Sequence, residues 1–183
     1  MTISNNVVLK FVALVSLLAS LSCTSPKQKA VTAIEKAEQS LFADSSAMPN
    51  VEKALSLYTL YTGFAEQYKQ DTLAPEYLFR AADLAQGIRH FRLALNCYDE
   101  LLKFHPESRK SAAALFMEGF VLQEGLHQPD SAKIKYELFL QKYPDHVLAS
   151  SAMGMLEQLR SGLTDEELIR SFEQKQDTAV AVN

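Results

Sequence analysis

The stretch Ala94-Leu95-Asn96-Cys97-Tyr98-Asp99-Glu100-Leu101-Leu102-Lys103-Phe104-His105-Pro106 returns 38 residues later as Ala132-Lys133-Ile134-Lys135-Tyr136-Glu137-Leu138-Phe139-Leu140-Gln141-Lys142-Tyr143-Pro144. Ala, Tyr, Leu and Pro recur in register. A fainter copy precedes them, with Tyr61, Phe64 and Tyr68 matching Tyr98, Leu101 and His105, and Lys69 in the proline slot. Between the copies a second pattern repeats: Leu78-Phe79 followed by Ala82 and Gln86 comes back as Leu115-Phe116 followed by Gly119 and Gln123. Each unit is therefore two helices, A then B, and self-similarity at this period predicts stacked helical repeats.

The residue types fit that arrangement. A small residue in the middle of helix A, Ala82 or Gly119, and another early in helix B, Ala94 or Ala132, let two antiparallel backbones approach closely. Tyr98 and Tyr136 fill the space one turn further on. Pro106 and Pro144 end helix B, because the residue before a proline leaves the α region and proline has no amide to donate.

At these positions the chain resembles the tetratricopeptide repeat, over roughly residues 50 to 160. The resemblance implies an all-α fold, a right-handed solenoid of antiparallel helix pairs with about three repeats plus closing helices. The longer spacing places one extra residue in the loop around Leu126-His127-Gln128-Pro129. Repeats of this length ending in a Tyr-Pro-like step are similar to those of envelope lipoproteins and periplasmic coordinators, such as the barrel-assembly lipoprotein and the Tol-associated division coordinator.

Residues 27–43 read as helix A of the first pair, with Val31, Ile34, Leu41 and Phe42 on one side. The loop 44–50 breaks the chain, and Asn50 is placed to cap the helix carrying Val51, Ala54, Leu55, Tyr58, Tyr61 and Phe64. After Pro144, residues 147–160 read as a closing helix that Ser161-Gly162 ends. Thr164-Asp165-Glu166-Glu167 forms a capping box for a short helix to about Lys175, whose Leu168, Ile169 and Phe172 suit a lid. The tail 176–183 follows.

The first residues stand apart. A single basic residue, Lys10, precedes the apolar run Phe11 to Leu21, too short for a bilayer's hydrocarbon core of ~30 Å. It reads as a signal peptide over 1–22. Ser20-Leu21-Ser22-Cys23 resembles the lipobox of bacterial lipoproteins. That resemblance implies cleavage before Cys23, a lipid on its sulfur, a tether over 23–26 and a helical domain over 27–175. Thr24 stands where inner-membrane retention would use Asp, and no acid follows before Glu35. The expected location is thus the inner leaflet of the outer membrane, facing the periplasm. Cys97 is then the remaining thiol, expected to be buried and inert.

Composition bounds the function. The chain is 48% hydrophobic and 22% charged, which predicts a folded domain. Without residues 1–22 it carries 17 basic against 22 acidic residues, no footprint for nucleic acid. Beyond the first turns no basic cluster stands out along the chain to grip lipid headgroups, so the anchor is expected to be the membrane link. No nucleotide loop, nucleophile elbow or metal-ligand spacing is present, and His90, His105, His127 and His146 fall near helix ends or in loops. No cofactor, metal or catalytic residue is expected.

Binding to other envelope proteins or peptides is the leading expectation. In the tetratricopeptide family helix A lines a concave groove, at places matching Glu76, Phe79, Asp83, Gln86, Phe116, Phe120 and Gln123. Phe79 and Phe116 are either anchors with a polar rim, as a protein-binding patch needs, or core between helices. The alternatives are a self-associating structural lipoprotein and, more remotely, a hydrolase or sugar-binding protein. The oligomeric state is open.

Overall fold

The computed structural model describes residues 25–43 and 50–162. The expected leader over 1–22, Cys23, residues 44–49, the helix expected near 164–175 and the tail 176–183 lie outside the described residues. Those described form seven helices and no strand: α1 (Pro26–Phe42), α2 (Val51–Gln67), α3 (Ala74–Gly87), α4 (Phe91–Phe104), α5 (Ser111–Phe120), α6 (Pro129–Lys142) and α7 (Ala149–Ser161). The chain is all-α here.

Local chemistry sets the ends. Ser25 Oγ accepts from the Gln28 amide at 3.1 Å, with Pro26 in the first turn of α1, where its missing N–H costs nothing. Asn50 Oδ1 accepts from the Lys53 amide at 3.0 Å, as its sequence position predicts. Pro106 and Pro144 each follow the residue that caps the end of α4 and α6. Gly162 closes α7 at φ 65°, a left-handed cap that glycine adopts without penalty.

The extra residue sits in a helix and not in the loop at 126–129. α5 runs on into a π turn, Val121–Gly125. Leu84 near the end of α3 accepts from Ile88, four residues on, whereas its counterpart Val121 accepts from Leu126, five residues on, at 3.0 Å. A wider turn absorbs one residue without breaking the helix. Gly125 makes room for the Phe91 ring there: a Cβ at that position would lie 2.5 Å from Phe91 Cδ1.

Each helix packs on the one before and the one after it. Alternate directions put Ser25 and the loops 68–73, 105–110 and 143–148 at one edge, and the loops 88–90 and 126–128 with Gly162 at the other. Lys27 at the start of α1 pairs with Asp71 beyond the end of α2, and Lys53 Nζ donates to the Ser40 carbonyl at the far edge, fixing the antiparallel register.

Packing follows the small-residue pattern. Ala82, Ala94 and Ala132 are fully buried, and a Cβ on Gly119 would lie 2.6 Å from Tyr136 Cε1. The core falls into two clusters, one over α1–α4 reaching Ala114 and Val121, the other over α5–α7. At the seam lies Glu118 of α5, wholly buried, with Lys135 Nζ of α6 2.7 Å from its Oε2. Lys135 also reaches Asp99 of α4 at 3.7 Å.

The repeated tyrosines differ in their partners. Tyr61 donates its hydroxyl to Glu38 Oε1 at 2.6 Å, and Tyr98 donates to Asp83 Oδ1 at 2.7 Å. Tyr136, equally buried, has a hydroxyl with no hydrogen-bond partner among the described residues, because Phe120 occupies the place of Asp83. Tyr98→Phe should therefore cost roughly 1.5 to 3 kcal/mol, the worth of a hydrogen bond to a carboxylate, while Tyr136→Phe should leave stability unchanged or raise it. Urea denaturation of both variants checks this; equal losses would mean that Tyr136 has a partner too.

Candidate functional site

The residues expected to line a groove fall into two groups. On α3, Glu76 is clasped by Arg80 Nε at 2.9 Å and Lys110 Nζ at 3.1 Å. Burial pushes its carboxyl up, but these two cations outweigh it and hold the carboxyl below its ordinary range. Lys110 Nζ also sits 4.8 Å from the centre of the Phe79 ring, which meets Tyr98 edge-on at 5.7 Å. Phe79 is thus half-buried under a cation. Asp83 anchors Tyr98, and desolvation by its packed neighbours raises its carboxyl against the pull of that hydroxyl.

On α5 the picture is more closed. Phe116 is buried, with ring centres 5.7 Å from Tyr136 and 5.8 Å from Phe139. It is core, since helix B of its own pair folds over it. Phe120 is half-buried. Gln123 donates to Gln158 Oε1 at 3.4 Å, while the Oε1 atoms of Gln123 and its counterpart Gln86 are buried without a hydrogen-bond partner among the described residues. The two phenylalanines share a register but do not form an open strip.

An open apolar hollow lies one pair earlier. α1, α2 and α3 enclose about 520 Å³, floored by Leu57, Tyr61, Leu84 and Ile88, with Phe42 and Gly87 at its mouth. Of the groove residues named from the sequence, Asp83 alone lines it. Phe42 is 71% exposed although it continues an apolar face of α1. Glu38 and Arg80 border the hollow; Glu38 Oε1 accepts from Tyr61 and, at 2.8 Å, from Arg80 Nη1. Arg80 thereby bridges α1 and α3 across the hollow and has no charge to spare. Gly87 faces empty space, with nothing within 4 Å of a built Cβ. The sequence signal for this hollow was the apolar pair Leu41-Phe42 at the end of α1, of which only Leu41 is needed by the core.

Cys97 is buried, its thiol directed at the Tyr58 hydroxyl at 3.5 Å and pushed up to about 11 by desolvation. A thiol held so far from ionisation is a poor nucleophile. No described helix is long and apolar enough to cross a membrane. In comparisons with known proteins, no family model matches the chain and no curated protein is similar to it.

Proposed function

We propose that this chain is a lipid-anchored scaffold of the tetratricopeptide type, held at Cys23 to the periplasmic side of the outer membrane, that binds other envelope proteins or peptides. The observation that carries the binding role is the hollow between α1, α2 and α3: an apolar floor, a charged border and an aromatic ring left at its mouth. An apolar anchor in a pocket with a polar rim is the arrangement that concentrates binding energy in protein interfaces. The small-residue contacts between successive helices support the repeat type, and the Ser20-Leu21-Ser22-Cys23 tetrad supports the anchor. In this reading it is an accessory of outer-membrane protein assembly or of envelope maintenance.

Gly87 gives a clean test, because a side chain there enters the hollow without touching the core. Gly87→Lys should fill it with a charge while leaving melting unchanged or slightly higher, glycine being the poorer helix former by about 1 kcal/mol. Crosslinking in cells, followed by mass spectrometry, should recover partners with the wild type and lose them with Gly87→Lys and with Phe42→Asp. Recovery of the same partners at wild-type yield from both folded variants would place the binding surface elsewhere.

A further inference from the structure

The edge from which α1 starts carries a cluster that no linear stretch of the sequence shows. Phe104, at the end of α4, is 50% exposed, with Lys103 Nζ 5.0 Å and Lys69 Nζ 5.7 Å from its ring centre. Lys69 comes from the α2–α3 loop, Lys103 from α4 itself. Arg109 stands on the α4–α5 loop, Lys29 in the first turns of α1 and Lys142 at the end of α6, all exposed. These five cations are in no ion pair among the described residues, while Lys27 and Lys110 at the same edge are neutralised by Asp71 and Glu76. The exposed carboxylates there are Glu66, Glu107 and Asp145. Val147, 83% exposed on the α6–α7 loop, adds a second apolar tip.

The chain that leads to Cys23 leaves from this edge. Ser25, where α1 is capped, is two residues from Cys23, so even a fully extended backbone sets their Cα atoms no more than about 7 Å apart. A lipid on Cys23 would bring a bilayer surface to within that distance of the edge. Rings and aliphatic tips that enter the headgroup boundary, beneath lysines whose stems let the charge reach lipid phosphates, are how a surface sits on a membrane without crossing it.

We infer that the edge formed by Ser25, the loops 68–73, 105–110 and 143–148, and the Lys69–Lys103–Phe104 cluster rests on an anionic bilayer surface, with Phe104 and Val147 at the headgroup boundary. The inference rests on the proposed anchor at Cys23. It adds an orientation: the helices stand on their ends, and the mouth of the hollow at Phe42 and Gly87 opens at the far edge, towards the aqueous side. A lipid anchor alone would leave the domain free to turn any face to the membrane. Each basic residue near an anionic surface contributes about 1 kcal/mol, enough for several together to select one face.

The chain contains no tryptophan, so a single one reports its own surroundings. The full chain, purified from membranes as Phe104→Trp or as Phe42→Trp, is reconstituted into vesicles of phosphatidylethanolamine and phosphatidylglycerol containing lipids brominated near the headgroup. Quenching should be roughly threefold stronger or more at position 104 than at position 42, and Lys69→Glu with Lys103→Glu should abolish the difference without changing the melting temperature. Equal quenching at the two edges, or stronger quenching at position 42, overturns the orientation. Crosslinks from Lys69 and Lys103 to another protein in cells, with no quenching at position 104, would assign the edge to that protein instead. The mass of the Cys23 peptide reads the anchor separately. An unmodified cysteine with position 104 still quenched removes the anchor and keeps the surface; an unmodified cysteine without quenching removes both.

Discussion

Phe116→Ser should come close to unfolding the second half of the described domain. The ring is buried against Tyr136 and Phe139, and truncating a buried phenylalanine to a small residue loses roughly 3 to 5 kcal/mol, a large part of what a domain of this size has. Phe79→Ser should cost clearly less, because its ring is only half-buried, with the Lys110 ammonium beside it. Since each helix contacts its neighbours in sequence, the damage from Phe116→Ser should concentrate in α5–α7. Circular dichroism on thermal melting gives the global loss, and amide hydrogen exchange shows where it falls. A Phe116→Ser protein that melts with the wild type would mean that this ring is not in the core.

The second large effect depends on pH and centres on the seam. Glu118 is wholly buried, and its carboxyl is pushed from an ordinary 4.5 up to about 8, first by desolvation, then by Asp99, with Lys135 pulling the other way. Lys135 Nζ is close, yet neither carboxyl oxygen has a well-aligned hydrogen-bond donor among the described residues. The ion pair therefore leaves much of the burial cost standing.

A carboxyl whose folded value lies above its unfolded one keeps its proton in the folded state after the unfolded chain has lost it. Its contribution to stability is present in full below about 4.5 and is lost as pH rises towards about 8, with an expected change on the order of a few kcal/mol. Glu118→Gln should remove that slope. Lys135→Met should cost little near pH 5, where Glu118 carries its proton, and roughly 1.4 kcal/mol more near pH 9, one unit above the value at which the wild-type carboxyl gives it up. Unfolding free energies from urea titrations at the two pH values test both variants. A Glu118→Gln profile parallel to the wild type would show that this carboxyl does not titrate in that range.

Much of the helical order was legible in the chain. The Tyr and Pro repeats at Tyr98, Tyr136, Pro106 and Pro144 marked the B helices, and Asn50 and Gly162 marked their helix ends, because caps, turns and proline act over a few residues. The small residues Ala82, Ala94, Gly119 and Ala132 likewise announced close helix contacts that the structure contains. The extra residue between successive units was countable, but its place was not. A π turn at Val121–Gly125 and a longer loop have the same sequence length, and only the bond from Leu126 to Val121 distinguishes them.

The site was legible to a smaller degree. Register put Phe79 and Phe116 on the same face of successive A helices, and it could not say that one would lie under Lys110 while the other was covered by Tyr136 and Phe139. Exposure depends on what the following helix brings over a face, which is a property of packing. The hollow behind Phe42 likewise needs three helices to exist.

The sequence by itself determined that the chain would be helical, where several of the described helices would start or stop, and which small residues would let them touch. These are consequences of backbone geometry within a few turns. Tertiary structure alone decided that Lys29, Lys69, Lys103, Arg109 and Lys142 share one edge, and that Glu118 is sealed between Asp99 and Lys135. Charges far apart along a chain become neighbours only when helices of nearly equal length alternate in direction, so that every second turn returns to the same end. Their electrostatic sum is then a property of that edge and of no segment that contributes to it.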